Sequence, residues 1–259
     1  MPVPHKGTLL ERFQEFIYEN YGIHYHQQKT DILRMKLDKL LETQQCSAEE
    51  FYQSLVLGSL KARDQLLEAI TVGHTFFFRE QQHLDILLAH IQKTGNTRPL
   101  IWCAASSTGE EPYSIAIKLL MSGINTFVVV ASDINKTVLD AMNRGVYPPG
   151  KLEYTPKHIK TMYFTRHGPH SFKISPEVRK HINIKRLNLQ EELLFERPFD
   201  YIFCRNVMIY FDEPGRKKVV KNVSRNLANG GLLFVGHTEA ILEVQKDLEK
   251  YAPAVFRKV

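Results

Sequence analysis

Short apolar runs alternate with helical segments in the second half of the chain, and this alternation limits the possible folds more than any other feature. Residues 99–105 (PLIWCAA) and 126–133 (TFVVVASD) are continuous apolar runs of strand length, typical of strands buried on both faces. Helical segments follow at 111–123 and 134–145, and each ends in a glycine. This repetition predicts a parallel, doubly wound α/β sheet.

The same pattern continues towards the end of the chain. Residues 199–211 (FDYIFCRNVMIYF) predict a strand and then a turn. Residues 215–231 predict a helix that ends at its two final glycines, and residues 232–240 predict another strand.

Residues 163–187 interrupt this rhythm. They contain short stretches of alternating polarity, including INIKRL at 182–187, set among turn residues. We expect them to form a small antiparallel β-subdomain spanning residues 160–187.

The N-terminal part of the chain has helical spacing and no strand pattern. Apolar residues recur every three or four positions in residues 8–22 and 30–42. Thr30 or Asp31 is the predicted N-cap of the second of these helices, because short polar side chains satisfy the free N–H groups of a helix start.

A third predicted helix begins at Ser47, which has the capping-box spacing to Glu50, and a fourth follows it. The change from helical to strand-and-helix patterns then divides the chain. We expect an all-helical domain over 1–70 and an α/β domain over 71–259.

Composition excludes several classes of protein. No run of 18 apolar residues is present, so no transmembrane helix is predicted, and the first residues lack the apolar stretch of a secretory signal. The three cysteines, Cys46, Cys103 and Cys204, are too few and too scattered for a disulfide framework or a zinc site, and no metal site is predicted. Reduced thiols and the lack of a signal predict a cytoplasmic protein.

Positive charge is concentrated in one segment. The formal net charge is +6, yet residues 144–188 alone carry ten Lys and Arg against two acidic residues, a net +8. A basic surface attracts nucleic acid, anionic membranes or acidic proteins, and it is equally consistent with a solvated face.

The ends of the predicted strands carry polar residues of an unusual kind. Ser106–Gly109 follows the first strand, Glu110 and Glu111 begin the next helix, and Asp133 ends the second strand. Ligands of open α/β sheets bind beyond these strand ends. The dinucleotide fingerprint G-x-G-x-x-G is absent, and two carboxylates would repel a pyrophosphate.

Each of these acids also has a purely structural interpretation. Carboxylates at a helix start are stabilised by the helix dipole, which applies to Glu110 and Glu111. Asp133 is equally suited to cap the helix at 135–144. Arg205 and Asn206 are harder to explain in this way, because an unpaired buried arginine is costly.

A cationic nucleoside without phosphate fits this set of residues. S-adenosylmethionine carries a sulfonium and an ammonium group, a glutamate at the helix start can hold the ammonium, and Asp133 can accept both ribose hydroxyls. The sequence therefore predicts S-adenosyl-L-methionine as cofactor, with S-adenosyl-L-homocysteine as product.

Four segments resemble the CheR family of chemotaxis receptor methyltransferases. They are residues 71–80 (TVGHTFFFRE), 101–117 (IWCAASSTGEEPYSIAI), 199–211 and 230–239 (GGLLFVGHTE). The resemblance covers nearly the whole chain. It implies a Rossmann-like S-adenosylmethionine-dependent methyltransferase sheet, with a small antiparallel β-subdomain, preceded by a helical N-terminal domain that reads the receptor.

The resemblance also implies an activity and a site. The activity is methylation of glutamate side chains on the cytoplasmic domain of chemoreceptors, which serves adaptation in bacterial chemotaxis. The cofactor contacts carried over from the family motifs are Thr75, Arg79, Glu111, Asp133, Asn188, Leu189, Arg205 and Asn206.

Arg79 and Tyr210 are the residues that the family motifs place closest to methyl transfer. A glutamate carboxylate is already ionised at neutral pH and needs no general base, so positioning is the main catalytic task. The chain departs from the family at Gly73, where an asparagine is frequent, which puts one polar cofactor contact in doubt.

The helix with which the family reads its receptor corresponds best to residues 30–42. Its basic residues are Lys29, Arg34, Lys36 and Lys39, and acidic residues lie between them.

Some members of the family bind a receptor's C-terminal pentapeptide as an added strand, near a glycine-rich loop. Residues 166–170 are shorter and poorer in glycine, so we expect a pentapeptide-independent enzyme. We expect a monomer that neither binds nucleic acid nor inserts into a membrane.

Two alternatives stay open from the sequence. A nucleic-acid methyltransferase is favoured by the basic segment, but residues 204–207 (CRNV) lack the (N/D)-P-P-(Y/F) turn of enzymes that methylate base amino groups. A non-catalytic signalling module of the same fold is disfavoured by the complete set of motif residues.

Overall fold

The computed structural model describes residues 7–25, 29–71, 73–239 and 246–259. Residue contacts divide the chain into two compact units. The first is Met1–Val72 with Met208–Lys217, and the second is Gly73–Val207 with Lys218–Val259. Ala240, the last residue of one predicted strand, and the N-terminal residues 1–6 lie outside the described residues.

The first unit contains four helices, as predicted. Their bounds are α1 Leu9–Tyr21, α2 Thr30–Gln44, α3 Ala48–Val56 and α4 Leu60–Ile70. The predicted capping box at the start of α3 is confirmed, since Ser47 and Glu50 bond each other's backbone N–H groups. The predicted N-cap of α2 is wrong: Lys29 occupies that position without a side-chain bond, so Thr30 and Asp31 lie inside the helix.

Residues 208–217 join the helical unit through hydrogen bonds. Ile23 forms an isolated bridge with Phe211, and the His24 N–H donates to the Tyr210 carbonyl at 2.9 Å. The Tyr18 hydroxyl donates to the Asp212 carboxylate at 2.8 Å. Burial opposes the shift, but the Gly215 N–H and this bond together lower the pKa of Asp212. The turn that carries Tyr210 is therefore part of the first unit.

The second unit contains a seven-stranded sheet and a three-stranded sheet with helices. The helices are α5 Gln81–Thr94, α6 Glu110–Met121, α7 Lys136–Arg144, α8 Lys157–Tyr163, α9 Pro176–Arg179 and α10 Glu213–Arg225, of which the last begins in the first unit. The strands are β1 Leu100–Ala104, β2 Val128–Asp133, β3 Val146–Tyr147, β4 Phe164–Arg166, β5 Phe172–Ile174, β6 Ile182–Arg186, β7 Phe199–Cys204, β8 Leu227–Val235, β9 Leu248–Ala252 and β10 Val255–Lys258.

The large sheet has the order β6-β2-β1-β7-β8-β10-β9. The pairs β6–β2, β2–β1, β1–β7 and β7–β8 are all parallel, and the last two strands add antiparallel pairs. The five parallel strands therefore share one carboxyl edge. The strand order reverses direction between β1 and β7, which is the switch point where open α/β sheets bind ligands. The predicted α/β class is confirmed.

The predicted antiparallel excursion is only partly correct. The small sheet has the order β3-β5-β4 with antiparallel pairs, and β4 and β5 lie within the expected range 160–187. The INIKRL stretch instead forms β6, which pairs parallel to β2 at the edge of the large sheet. β6 is only partly covered because it lies at the edge of the sheet, and its residues alternate in polarity. The same alternation is typical of antiparallel strands, which explains the wrong prediction.

The predicted helix over 215–231 is too long. α10 ends at Arg225 and β8 begins at Leu227, so the two glycines lie in a strand. Gly231 lies near a register shift between β7 and β8, and a Cβ there would lie 2.7 Å from the Asp200 carbonyl oxygen. A glycine within a strand often marks a place where another backbone comes close. The two glycines were therefore wrongly interpreted as the end of a helix.

The core lies on both faces of the sheet. The Phe203 and Phe234 rings stack at 4.2 Å between centroids and are fully buried. Cys103 and Cys204 are also fully buried, and both are free thiols. Among the described helices, none is both long and apolar enough to cross a membrane.

Candidate cofactor site

The loop after β1 has a strained backbone that β2 holds in place. Ala105 and Ser107 have φ angles of 59° and 50°, in the left-handed region that disfavours side chains. The Ser106 N–H donates to the Ser132 carbonyl at 2.8 Å, and the Ser107 N–H donates to the Asp133 carboxylate at 2.9 Å. These bonds fix the loop at the carboxyl edge of the sheet.

Asp133 organises two loops at once. Its second carboxylate oxygen accepts the Asn135 N–H at 3.0 Å. Asn135 is the N-cap of α7, because its side chain accepts the Thr137 N–H. The capping role considered for Asp133 is therefore filled by Asn135. Burial raises the pKa of Asp133, although its backbone hydrogen bonds oppose that shift. A carboxylate offers about four acceptor positions, which leaves capacity for further donors.

A buried guanidinium lies at the end of β7. Arg205 donates to the Glu111 carboxylate at 2.6 Å and to the Arg79 carbonyl at 3.0 Å, and its Nη2 lies 3.0 Å from the Glu80 carboxylate. Burial raises the pKa of Glu111, while the charge and hydrogen bond of Arg205 lower it. Two carboxylates face the buried Arg205 guanidinium, and such a concentration of acidic groups favours a cationic ligand.

The segment before α5 is strained as well. Phe78 and Glu80 have φ angles of 60° and 52°, and the Phe78 N–H is held by the Ser114 hydroxyl at 2.9 Å. Arg79 turns towards its own loop, where it donates to the His74 carbonyl at 3.1 Å and lies 5.8 Å from the Phe76 ring centre. This conformation aims the Glu80 carboxylate at Arg205.

The two consecutive glutamates have different roles. Glu110 is fully buried and accepts the Thr108 hydroxyl at 2.6 Å, and it pairs with the Lys151 ammonium at 2.8 Å. Lys151 also donates to the Thr75 carbonyl at 2.7 Å. Glu110 is therefore structural, as its alternative interpretation proposed, and it anchors the Thr75 loop through Lys151.

The loops after β6, β7 and β8 complete the edge. Leu189 is buried, and its carbonyl accepts from Asn222 at 3.0 Å, while Asn188 accepts the Gln190 N–H at 3.0 Å. Asn206 has a φ of 58°, and its N–H donates to Glu239 at 2.8 Å.

Gly236 allows the close approach of Glu239 to this loop. The Gly236 N–H donates to the Glu239 carboxylate at 2.8 Å, and a Cβ at Gly236 would lie 2.7 Å from both Glu239 and Asn206. A larger residue at that position would displace the loop that carries Asn206.

The structure brings part of the predicted set into one network. Glu111, Arg205 and the Arg79 backbone are in direct contact, and Lys151 connects Thr75 to Glu110. Asp133 joins the neighbouring β1 loop through Ser107, whereas Tyr210 belongs to the first unit.

Three residues of this edge were missed by sequence reasoning: Glu80, Lys151 and Glu239. The first and last stood inside quoted family segments, FFRE and GHTE, and could have been found there. Lys151 was visible only as one of many basic residues between 144 and 188.

A doubly wound sheet with acids instead of a glycine-rich phosphate loop at its switch point is the arrangement of an S-adenosylmethionine-dependent methyltransferase. The family model described as "CheR methyltransferase, SAM binding domain" matches residues 73–255, so the chain belongs to the CheR methyltransferase family. The predicted family, cofactor and role in chemotaxis are confirmed, and the nucleic-acid alternative is not favoured.

Relatives of known name support this assignment. A chemotaxis protein methyltransferase of Borreliella burgdorferi is 32% identical over 96% of this chain and 93% of its own length. Chemotaxis protein methyltransferase 2 of Pseudomonas aeruginosa is 36% identical over 88% of this chain and 85% of its own length. The Escherichia coli chemotaxis protein methyltransferase is 32% identical over 91% of this chain and 85% of its own length.

We expect Lys151→Met to destabilise the protein by about 1–3 kcal/mol, because it leaves the buried Glu110 carboxylate without its counter-charge. The expected loss is below that of a fully buried pair, since the Lys151 side chain is 30% exposed. Urea unfolding measures the change. The double variant Lys151→Met/Glu110→Gln should recover part of the loss, and exposed Lys157→Met is the control. Equal stability of the single variant and the native chain would contradict the pairing.

Proposed function

We propose that this methyltransferase converts glutamate side chains of a chemoreceptor's cytoplasmic domain into methyl esters. The observation that carries the proposal is the pair of partly buried acids at adjacent loops, Glu111 beside Arg205 and Asp133 beside Ser107, within a chain of this family. They suit a cationic nucleoside, and the family motifs surround them.

Seven residues are proposed to hold the cofactor together with Arg79. Glu111 binds the ammonium group of the methionyl part and Asp133 the ribose hydroxyls, and the remaining members are Thr75, Asn188, Leu189, Arg205 and Asn206. The fit is supported by two buried polar atoms, the Arg205 Nε and the Ser107 hydroxyl, which lack hydrogen-bond partners among the described residues. Buried polar atoms of this kind require a partner such as a ligand or water.

When bound, the cofactor supplies a methyl group on a positively charged sulfur. The protein's own task is then to orient the substrate. Arg79 is proposed to hold the glutamate carboxylate, because a guanidinium binds both carboxylate oxygens in a fixed plane. Tyr210 is proposed to donate a hydrogen bond during methyl transfer. This role rests only on its position in the family motif MIYF.

Recognition of the receptor is proposed for the helical domain, residues 1–70, with the methyltransferase domain at 71–259. On α2, Arg34 and Lys39 are exposed, whereas Lys36 is partly buried and donates to the Ile70 carbonyl at 2.8 Å. Arg34 and Lys39 are therefore better suited to contact a receptor than Lys36. Met35, 72% exposed, adds an apolar contact to the same helix.

The further expectations remain proposals: a cytoplasmic monomer that does not require a receptor pentapeptide. Nucleic acid is not proposed as a partner, and three of the ten basic residues of the 144–188 segment bind groups of the protein itself. Arg179 donates to the Asn143 carbonyl at 2.6 Å and Arg186 to the Ile134 carbonyl at 3.0 Å, and Lys151 pairs with Glu110.

The test is methyl transfer from radiolabelled S-adenosylmethionine to a receptor cytoplasmic fragment. We expect label that mild base releases as methanol, because esters hydrolyse and methylated amines do not. A fragment whose methylation-helix glutamates are changed to alanine is the control substrate. Base-stable label, or transfer to DNA or RNA in a salt-sensitive manner, would refute the proposal.

Binding of S-adenosylhomocysteine should weaken on acidification, beginning above the usual glutamate pKa of about 4.3. Burial raises the pKa of Glu111, and binding an ammonium needs the ionised carboxylate, so the free protein must first lose a proton at low pH. Calorimetry at a series of pH values measures this.

Glu111→Gln should bind about 10–100-fold more weakly at neutral pH and show less pH dependence, because it lacks a charge-assisted bond. The exposed Glu153→Gln is the matched control. An unchanged pH profile in Glu111→Gln would exclude this role for Glu111.

Tyr210→Phe should lower kcat by about tenfold or more while leaving the affinity for S-adenosylhomocysteine unchanged, since a hydrogen bond made only during methyl transfer affects rate and not cofactor binding. Steady-state kinetics and calorimetry give the two quantities, with Tyr251→Phe as control. Equal losses in both would count against the role.

A further inference from the structure

A glutamate and two histidines converge beside the Arg205 network. The Glu80 carboxylate lies 3.4 Å from the His83 Nδ1 and 3.9 Å from the His237 Nε2. One ligand atom from each residue lies within 4.8 Å of the other two. Glu80 is the N-cap of α5, His83 lies in the first turn of that helix, and His237 follows β8.

His83 is the unexplained member of this cluster. Its side chain is 1% exposed, and neither ring nitrogen makes a hydrogen bond of good geometry among the described residues, although the backbone of Pro253 and the Glu80 carboxylate lie close to the ring. A buried imidazole in a native protein normally has a partner, and an ion or water is the usual explanation where protein atoms supply none. The ring lies against the His237 ring at 5.2 Å between centroids, so a shared ligand can reach both.

We propose that Glu80, His83 and His237 form a binding site for a divalent transition-metal ion, with Zn²⁺ as the best-fitting ion. Two imidazoles and one carboxylate are a ligand set that zinc accepts, with a fourth position open to water. Bonds of about 2.0–2.1 Å in a tetrahedron separate ligand atoms by about 3.3–3.4 Å. The 3.4 Å pair already has this spacing.

The two remaining pairs both include His237, and they lie at 3.9 Å from Glu80 and within 4.8 Å of His83. His237 is 48% exposed, so its side chain can turn towards the other two ligands and leaves a path for the ion to enter. Arg205, 3.0 Å from the Glu80 carboxylate, then acts as an outer partner of a ligating carboxylate, a common arrangement around bound metals.

The ion should oppose cofactor binding. Glu80 and Glu111 share the Arg205 guanidinium, so a dication on Glu80 adds positive charge next to the proposed ammonium site. This coupling rests on the proposed function of Glu111, whereas the metal site itself does not. Linkage requires that S-adenosylhomocysteine weaken Zn²⁺ binding by the same factor.

The experiment titrates Zn²⁺ into the untagged full chain against a chromophoric chelator. We expect one tight site, and a loss of affinity of at least about tenfold in His237→Gln and in His83→Gln. His158→Gln, on an exposed helix position, and Cys46→Ser, a half-exposed thiol, are controls that should bind like the native chain. Melting temperatures verify that each variant folds.

The outcomes separate clearly. Native affinity in a folded His237→Gln, or loss of the tight site in Cys46→Ser, would overturn the proposal, as would no saturable binding. A tight site lost in His237→Gln but indifferent to S-adenosylhomocysteine would keep the metal site and reject the coupling to Glu111.

Discussion

The site depends on one buried cation. Arg205 contacts Glu111, Glu80 and the Arg79 carbonyl, and these belong to the start of α6 and the segment before α5. Removing one partner from a buried charged group costs about 3–5 kcal/mol, far more than an exposed pair contributes. The guanidinium therefore fixes the relative positions of the loops that carry the family motifs.

Backbone strain is concentrated around this cation. Seven described residues other than glycine have positive φ, and five of them lie in loops that form the carboxyl edge: Phe78, Glu80, Ala105, Ser107 and Asn206. Each costs on the order of 1–3 kcal/mol unless its surroundings impose it. Asp133 and Glu239 supply that restraint by accepting the N–H groups of Ser107 and Asn206. The strained backbone therefore lies where the ligand is expected.

The consecutive residues Glu110 and Glu111 have different roles although they belong to one short motif. Glu110 is fully buried and neutralised by Lys151, while Glu111 keeps one side towards the edge of the sheet and pairs with Arg205. Neighbouring positions at a helix start point in different directions. One carboxylate therefore stabilises the loop and the other remains for a ligand.

Local sequence determined the helical N-terminal unit, the central strands and the capping box at Ser47, because propensity and hydrophobic period act over a few residues. It also carried the family motifs that contain most of the candidate site. Tertiary structure alone decided that β6 joins the large sheet, that Lys36 donates to the Ile70 carbonyl, and that Glu110 pairs with Lys151. These outcomes depend on contacts between segments that are distant in the chain. Hydrophobic periodicity and composition describe only local sequence and cannot predict such contacts.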